Sequence, residues 1–200
     1  MKTIGITGGV GAGKSTVLQY LEEMYNCRII MTDDVANLLK EPGQACYEPI
    51  VRLLGSDVLL PDGAIDRKRM AEMIFHDQDL LKKVEAILHP AVRSYVEDAI
   101  ASERVSGKHP YVVVEAALLI QCGYGTILDE MWYVAVTDDV RRRRLKESRG
   151  YNDDKIDAIL ASQLDDASYR AACGIVIDNS GLPEETYRQI DLAMRENHHE

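Results

Sequence analysis

The sequence predicts an α/β fold: a mainly parallel five-stranded sheet flanked by helices. Three observations lead there. Five short apolar runs (Thr3–Thr7, Arg28–Met31, Tyr111–Val114, Met131–Val136 and Ile175–Ile177) alternate with segments whose apolar residues recur at helical spacing. Tyr111-Val112-Val113-Val114 is too continuously apolar for a strand with one wet face, so the sheet is covered on both sides. A glycine-rich loop follows the first run directly. In such sheets crossovers are right-handed and ligands bind outside the carboxyl ends of the strands, so motifs that follow strands matter most.

Taken in order, Ser15 to Met24 reads as a helix, with Leu18, Tyr20, Leu21 and Met24 at helical spacing. After the second strand, Thr32-Asp33-Asp34 offers helix-start chemistry ahead of Val35 to Leu39, and Glu41-Pro42-Gly43 ends that helix. Gln44 to about Ser106 is mostly helical, with a turn at Pro61-Asp62-Gly63. Within it, Arg67–Phe75 and Asp79–Glu103 are helices, the second with a break at His89-Pro90 because proline is expected to start a new helix. Gly107 to Pro110 is a loop. Asp138–Glu147 is a charged helix, Gly150-Tyr151-Asn152 a turn, and Asp153–Gln163 a helix. The turn Asp178-Asn179-Ser180-Gly181 follows the last strand, and Pro183–Arg195 is a polar helix. No repeat or low-complexity linker interrupts the 200 residues, which suit one domain.

Composition narrows the partners. The formal net charge of −10 disfavours nucleic acid and anionic membranes. No apolar run approaches the roughly 20 residues that span a bilayer. Met1-Lys2-Thr3 leads into an apolar stretch that Gly8 and Gly9 interrupt, so no secretory signal is expected. Cys27, Cys46, Cys122 and Cys173 are scattered, as reduced thiols of a cytoplasmic protein would be. Two basic knots stand out, Arg67-Lys68-Arg69 and Arg141 to Arg144 with Arg149 beyond. Each is either a solvated helix face or part of a site for a small, highly charged anion.

The strongest motif is Gly8-Gly9-Val10-Gly11-Ala12-Gly13-Lys14-Ser15, followed by Thr16, which fits G-x-x-x-x-G-K-[ST] between a strand and a helix. Glycines let the backbone curl so that successive amides point at phosphate oxygens, and the helix adds its positive end. Lys14 is expected to reach the β- and γ-phosphates and Ser15 to ligate Mg²⁺. P-loops also serve GTPase switches and mechanical ATPases. No guanine-reading Asn-Lys-x-Asp occurs, and the Asp-x-x-Gly at Asp178–Gly181 comes too late for a switch. A small-molecule kinase is the simplest remaining reading.

Phosphoryl transfer needs a group to orient or accept the acceptor's proton. Asp33 follows the second strand and faces the P-loop if that strand neighbours the first; the alternative is that Thr32, Asp33 or Asp34 caps the next helix. Arginines of the second knot, on a mobile helical lid, would neutralise the transferring group and exclude water, but helical spacing lets only one or two face a ligand. Glu115 ends the third strand, either as a Walker-B-like carboxylate or as an ordinary strand end. His89 is either a ligand or a packing residue.

These residues, in this order, resemble dephospho-coenzyme A kinases across nearly the whole chain. The resemblance is carried by Ile6 to Thr16, Thr32-Asp33-Asp34-Val35-Ala36, Glu41-Pro42-Gly43, Ile65-Asp66-Arg67, Leu88-His89-Pro90, Ala117-Leu118-Leu119, Arg144 and Arg149, Gln163, and Val176 to Gly181. It implies a P-loop core over about 1–43, 108–138 and 172–200, a helical acceptor-binding region over about 44–107 and an arginine-bearing lid over about 139–171. It implies ATP, Mg²⁺ and phosphorylation of the ribose 3′-hydroxyl of dephospho-coenzyme A; separately, a cytoplasmic monomer or weak homo-oligomer is expected. Asp33 becomes the general base, with Lys14 and Arg144 stabilising the γ-phosphate. Gly11, Ala12, Gly13, Lys14, Ser15, Thr16, Arg144, Arg149 and Asn179 become the ATP contacts. Thr7, Asp33, Arg67 and His89 fall on the acceptor side. The chain departs from the family pattern at Met31, usually Asp, at Ala117, usually Pro, at Gln121, near a usual Glu, and by one extra residue between Arg144 and Arg149. A nucleotide or nucleoside kinase and a non-catalytic ATP-binding regulator remain the alternatives.

Overall fold

The computed structural model describes residues 1–196; the end of the expected core segment 172–200 lies outside them. The strands are β1 (Lys2–Thr7), β2 (Cys27–Met31), β3 (Tyr111–Glu115), β4 (Glu130–Ala135) and β5 (Ile175–Asp178). The helices are α1 (Lys14–Tyr25), α2 (Thr32–Leu39), α3 (Tyr47–Leu54), α4 (Arg67–Phe75), α5 (Gln78–Ser106), α6 (Asp138–Arg149), α7 (Asp153–Ala161), α8 (Asp166–Ala172) and α9 (Pro183–Glu196). The chain divides into two compact units, one of Met1–Ile29 with Glu103 onward and one of Ile30–Ser102.

The first unit is built on the sheet, whose order is β2-β3-β1-β4-β5. β1 runs parallel to β3 and β4, and β4 parallel to β5. The central strands are buried on both faces, which is why their sequences lack alternation. On one face Ile4, Ile6, Val113, Trp132, Val134 and Ile177 pack with Val17, Leu18 and Leu21 of α1 and Ile190, Ala193 and Met194 of α9. On the other, Tyr133 and Ala135 meet Tyr169 and Cys173, with the Tyr133 and Tyr169 rings stacked at 4.6 Å. Each fully buried aliphatic side chain contributes roughly 1.5–3 kcal/mol. The register sets Ile6 beside both Glu115 and Trp132, so the ends of β1 and β3 emerge together.

The second unit is helical and corrects one expectation. His89-Pro90 does not break the long segment: α5 runs unbroken from Gln78 to Ser106 with Pro90 inside it. Val84, Val92, Val96 and Ile100 are buried at spacings of eight and four, so one apolar stripe keeps its phase through the proline. Pro90 lies on the exposed side, as does Ala86, whose carbonyl loses its usual partner to the proline and can turn to water. The Cys46 thiol donates to the neighbouring Ile87 carbonyl at 3.9 Å. The Pro61-Asp62-Gly63 turn is present: the Leu60 amide donates to Ala64 O at 2.8 Å and the Gly63 amide to Leu60 O at 2.9 Å. α8 was not expected; its start is marked by the Asp165 side chain accepting from the Ser168 amide at 2.7 Å.

Candidate active site

The glycine-rich loop joins β1 to α1. Gly13, which caps α1, has φ +84, and a Cβ there would collide with the Asn179 side-chain amide. At Gly9 a Cβ would meet the guanidinium of Arg141. Two of the glycines are therefore required by backbone conformation and by close approach. The first turn of α1 has no acidic residue and no side-chain cap, so its amides and positive end remain available to an anion.

The loop's carbonyls point at cations. Lys14 Nζ donates to Gly8 O at 2.9 Å and lies 3.4 Å from Glu115 Oε1. Arg141 Nε donates to Val10 O at 2.8 Å. Asn179 Nδ2 donates to Ala12 O at 2.8 Å, and Arg144 reaches the same oxygen at 3.4 Å while donating to Asn179 O at 2.8 Å. Gln163 Oε1 accepts from the Val10 amide at 3.2 Å and from Arg141. With its carbonyls turned outward to these donors, the loop leaves its remaining amides for a ligand. Thr7 ends β1 fully buried, and its hydroxyl has no hydrogen-bond partner.

Helical spacing sorts the arginines of α6. Arg141 and Arg144, three residues apart, share the face turned to the loop. Arg142 turns instead to Asp157 and Asp153, tying α6 to α7. Arg143 is exposed, and Arg149 is exposed beside the Tyr151 ring, 6.0 Å from its centroid. Burial lowers the pKa of Arg141, while Tyr133, Tyr169 and Asp138 oppose that shift.

Of the residues expected around ATP, the structure gathers Lys14, Arg144 and Asn179 at the loop and leaves Arg149 beside Tyr151. Asn179 is buried and spends both ends of its amide inside the protein, on Ala12 O and on the Thr186 hydroxyl at 2.9 Å. It braces the loop. Sequence reasoning had Arg141 in the second basic knot and Gln163 in the family pattern but singled out neither as a partner of the loop; the i,i+3 relation to Arg144 was the signal that could have picked Arg141 from its neighbours. Glu115 is no ordinary strand end, because it is buried and paired with Lys14.

One premise about Asp33 is corrected. β2 does not neighbour β1, because β3 lies between them, and the carboxylate carried beside β1 is Glu115. Asp33 belongs to the helical unit, exposed in the first turn of α2. That helix has no side-chain cap, so its start does not consume the Asp33 carboxylate as a cap. Arg67 opens α4 as its first residue, and both Asp33 and Arg67 act on the charge of Lys40, at the C-terminal end of α2. His89 is exposed on α5.

A family model for dephospho-CoA kinase matches residues 2–185. A dephospho-CoA kinase of Geobacter sulfurreducens is 40% identical over 191 residues, covering 96% of each chain. A crystal structure from Thermus thermophilus superposes with a TM-score of 0.81 at 27% identity, covering 98% of this chain and 97% of that one. The structure of dephospho-CoA kinase from Campylobacter jejuni shares the fold at a TM-score of 0.74 and 20% identity, covering 98% and 97%. A P-loop braced by arginines, on a chain matched by that family over almost its whole length, places this protein in the dephospho-CoA kinase family.

Proposed function

We propose that this chain transfers the γ-phosphoryl group of ATP to the ribose 3′-hydroxyl of dephospho-CoA, giving CoA and ADP. The observation that carries the reading is the convergence of Lys14, Arg141 and Arg144 on a P-loop whose helix start is uncapped. The loop amides and Lys14 hold the β- and γ-phosphates, and Lys14 exchanges the Gly8 carbonyl for phosphate oxygen. Arg144 stabilises charge on the migrating group. Asp33, on the carboxyl side of β2, orients the 3′-hydroxyl and accepts its proton.

The donor set fits Mg²⁺. Among the described residues no group of three His, Cys, Asp or Glu forms a protein cage. Mg²⁺ instead keeps waters and takes one or two protein oxygens beside substrate phosphates. Ser15 would be the direct ligand, with Glu115 and the orphaned Thr7 hydroxyl as partners of its waters. When bound, the ion neutralises charge on the β- and γ-phosphates.

A cytoplasmic setting belongs to the same proposal and is supported by all four cysteines being thiols. We expect a monomer or weak homo-oligomer, measurable by light scattering. The deciding assay is ADP release from MgATP with and without dephospho-CoA, with mass spectrometry of the product. Acceptor-dependent ADP and a product one phosphoryl group heavier at the 3′ position support the reading. Turnover with a nucleoside monophosphate and none with dephospho-CoA would overturn it.

A further inference from the structure

Helix α9 presents two polar side chains to the turn after β5. Gln189 brackets Asp178: its Oε1 accepts from the Asp178 amide at 2.8 Å, and its Nε2 donates to the Asp178 carbonyl at 2.9 Å. Thr186, one turn earlier on the same face, is fully buried. Its hydroxyl donates to Asn179 Oδ1 at 2.9 Å, while the Asp178 carbonyl lies farther off at 3.5 Å. The Asn179 backbone is fixed separately, because its amide donates to Ala135 O at 2.8 Å. What Thr186 adds is a partner for the Asn179 side chain.

That side chain supports the peptide between Ala12 and Gly13. Ala12 O accepts from Asn179 Nδ2 at 2.8 Å and from Arg144 at 3.4 Å, and Arg144 also donates to Asn179 O at 2.8 Å. A carbonyl only accepts, so Asn179 turns its NH₂ to Ala12 and its oxygen inward. An oxygen buried there without a donor would be destabilising, and Thr186 supplies the donor. Gly13 makes the support necessary. Having no Cβ, it lets the Asn179 amide approach, and for the same reason little steric resistance stops the Ala12–Gly13 peptide from turning over. Turned over, that peptide would aim the Ala12 carbonyl at the phosphate site and take the Gly13 amide out of it.

We propose that Thr186 is a positioning residue for the nucleotide. Through Asn179 it holds the Ala12–Gly13 peptide with its amide toward the phosphates, and it keeps Arg144 docked on the same asparagine. The inference rests on the ATP reading above and not on the choice of acceptor. Thr186 acts at one remove: fully buried, it has no surface to offer a ligand.

The test is titration of MgATP binding, with steady-state kinetics, on the full chain and on Thr186→Val, Thr186→Cys and Thr186→Ser, each checked by thermal melting. Valine keeps the shape and removes the donor. In that variant the Kd and KM for ATP should rise about 5- to 100-fold, the loss expected when one buried acceptor is left unpaired. The KM for dephospho-CoA should stay near wild type. Thr186→Ser should restore ATP affinity, and Thr186→Cys, a weak donor, should fall between, so the series reads the hydroxyl even if the valine variant folds poorly. In an Asn179→Ala background Thr186→Val should cause no further loss, because the partner through which it acts is gone. Unchanged ATP affinity in Thr186→Val, equal losses for ATP and dephospho-CoA, a serine variant no better than valine, or additive losses in the double variant would each overturn the relay. Titration needs no acceptor, so a chain that binds MgATP and ignores dephospho-CoA would lose the acceptor reading while the ATP affinities still decide the relay. A wild-type chain that binds no MgATP would remove both.

Discussion

Lys14 shows how one side chain is kept ready at the phosphate cradle. Its ammonium is held between the Gly8 carbonyl and Glu115, so its charge is already desolvated and aimed. Gly13 is as constrained: αL backbone costs roughly 1–2 kcal/mol for a residue with a Cβ, and Asn179 leaves no room for one. Gly13→Ala should weaken ATP binding measured by titration and lower the melting temperature; unaltered ATP affinity would show that the cradle tolerates the shift. Asp33→Asn should cut kcat by about 10²- to 10⁴-fold, the usual contribution of a general base. ATP affinity should be retained, because Asp33 is not among the side chains that brace the loop. Full turnover in that variant would end the base assignment.

α6 is the element on which the phosphate side depends, because its period of 3.6 residues presents two of four consecutive arginines to the loop. Arg141→Ala should loosen Val10 and Gln163 together and raise the KM for ATP, whereas Arg143→Ala, on the exposed face, should fall within about 0.5 kcal/mol of wild type in stability. Equal effects of the two would mean that the face of α6 does not matter. Arg144→Ala should lower kcat more than it alters the KM for dephospho-CoA. In α5, Pro90→Ala restores a missing amide donor, so stability should rise, by at most about 3 kcal/mol. Urea unfolding measures that gain, and a loss would show that the proline shapes packing that the helix needs.

Across the whole molecule, Glu103 joins distant parts of the chain. It is buried at the end of α5 and bonds Arg28 of β2 at 3.0 Å, Ser106 at 3.0 Å and both the amide and Nδ1 of His109, before β3. The His109 hydrogen bond first, with Ser106 and Arg28, holds its carboxyl at about 2, against burial, below its ordinary 4.5. A depressed folded-state pKa means that the stabilisation is present above the unfolded value and is lost as pH falls through the folded one. Stability should therefore decline from about pH 4.5 toward pH 2 in the wild type, and Glu103→Gln should lack that component. Identical slopes in urea titrations across that window would refute the link. A ligand adds stability by mass action, so ATP at 100 times its Kd should add about 2.7 kcal/mol.

Most of the fold was legible in the sequence because its signals are local. Apolar β-branched runs, helical spacing and the Gly8–Ser15 loop each depend on residues within one element. Pro90 misled because a local rule was outweighed by the apolar stripe from Val84 to Ile100, and packing stabilises more than one missing donor costs. α8 passed unnoticed for the same reason in reverse: seven residues give little periodicity, and the helix is held by Tyr169, which packs with Cys173 just beyond it against Tyr133 and Ala135. Strand order was beyond sequence reasoning, since nothing local says that β3 lies between β2 and β1. That order decided that Glu115 accompanies Lys14. By itself the sequence determined the phosphate chemistry, because a P-loop is one continuous stretch of backbone. Only the tertiary structure decided which distant side chains, Arg141, Gln163, Asn179 and Glu115, close around it, because hydrogen bonds between residues more than a hundred positions apart exist only once the sheet and its helices have formed.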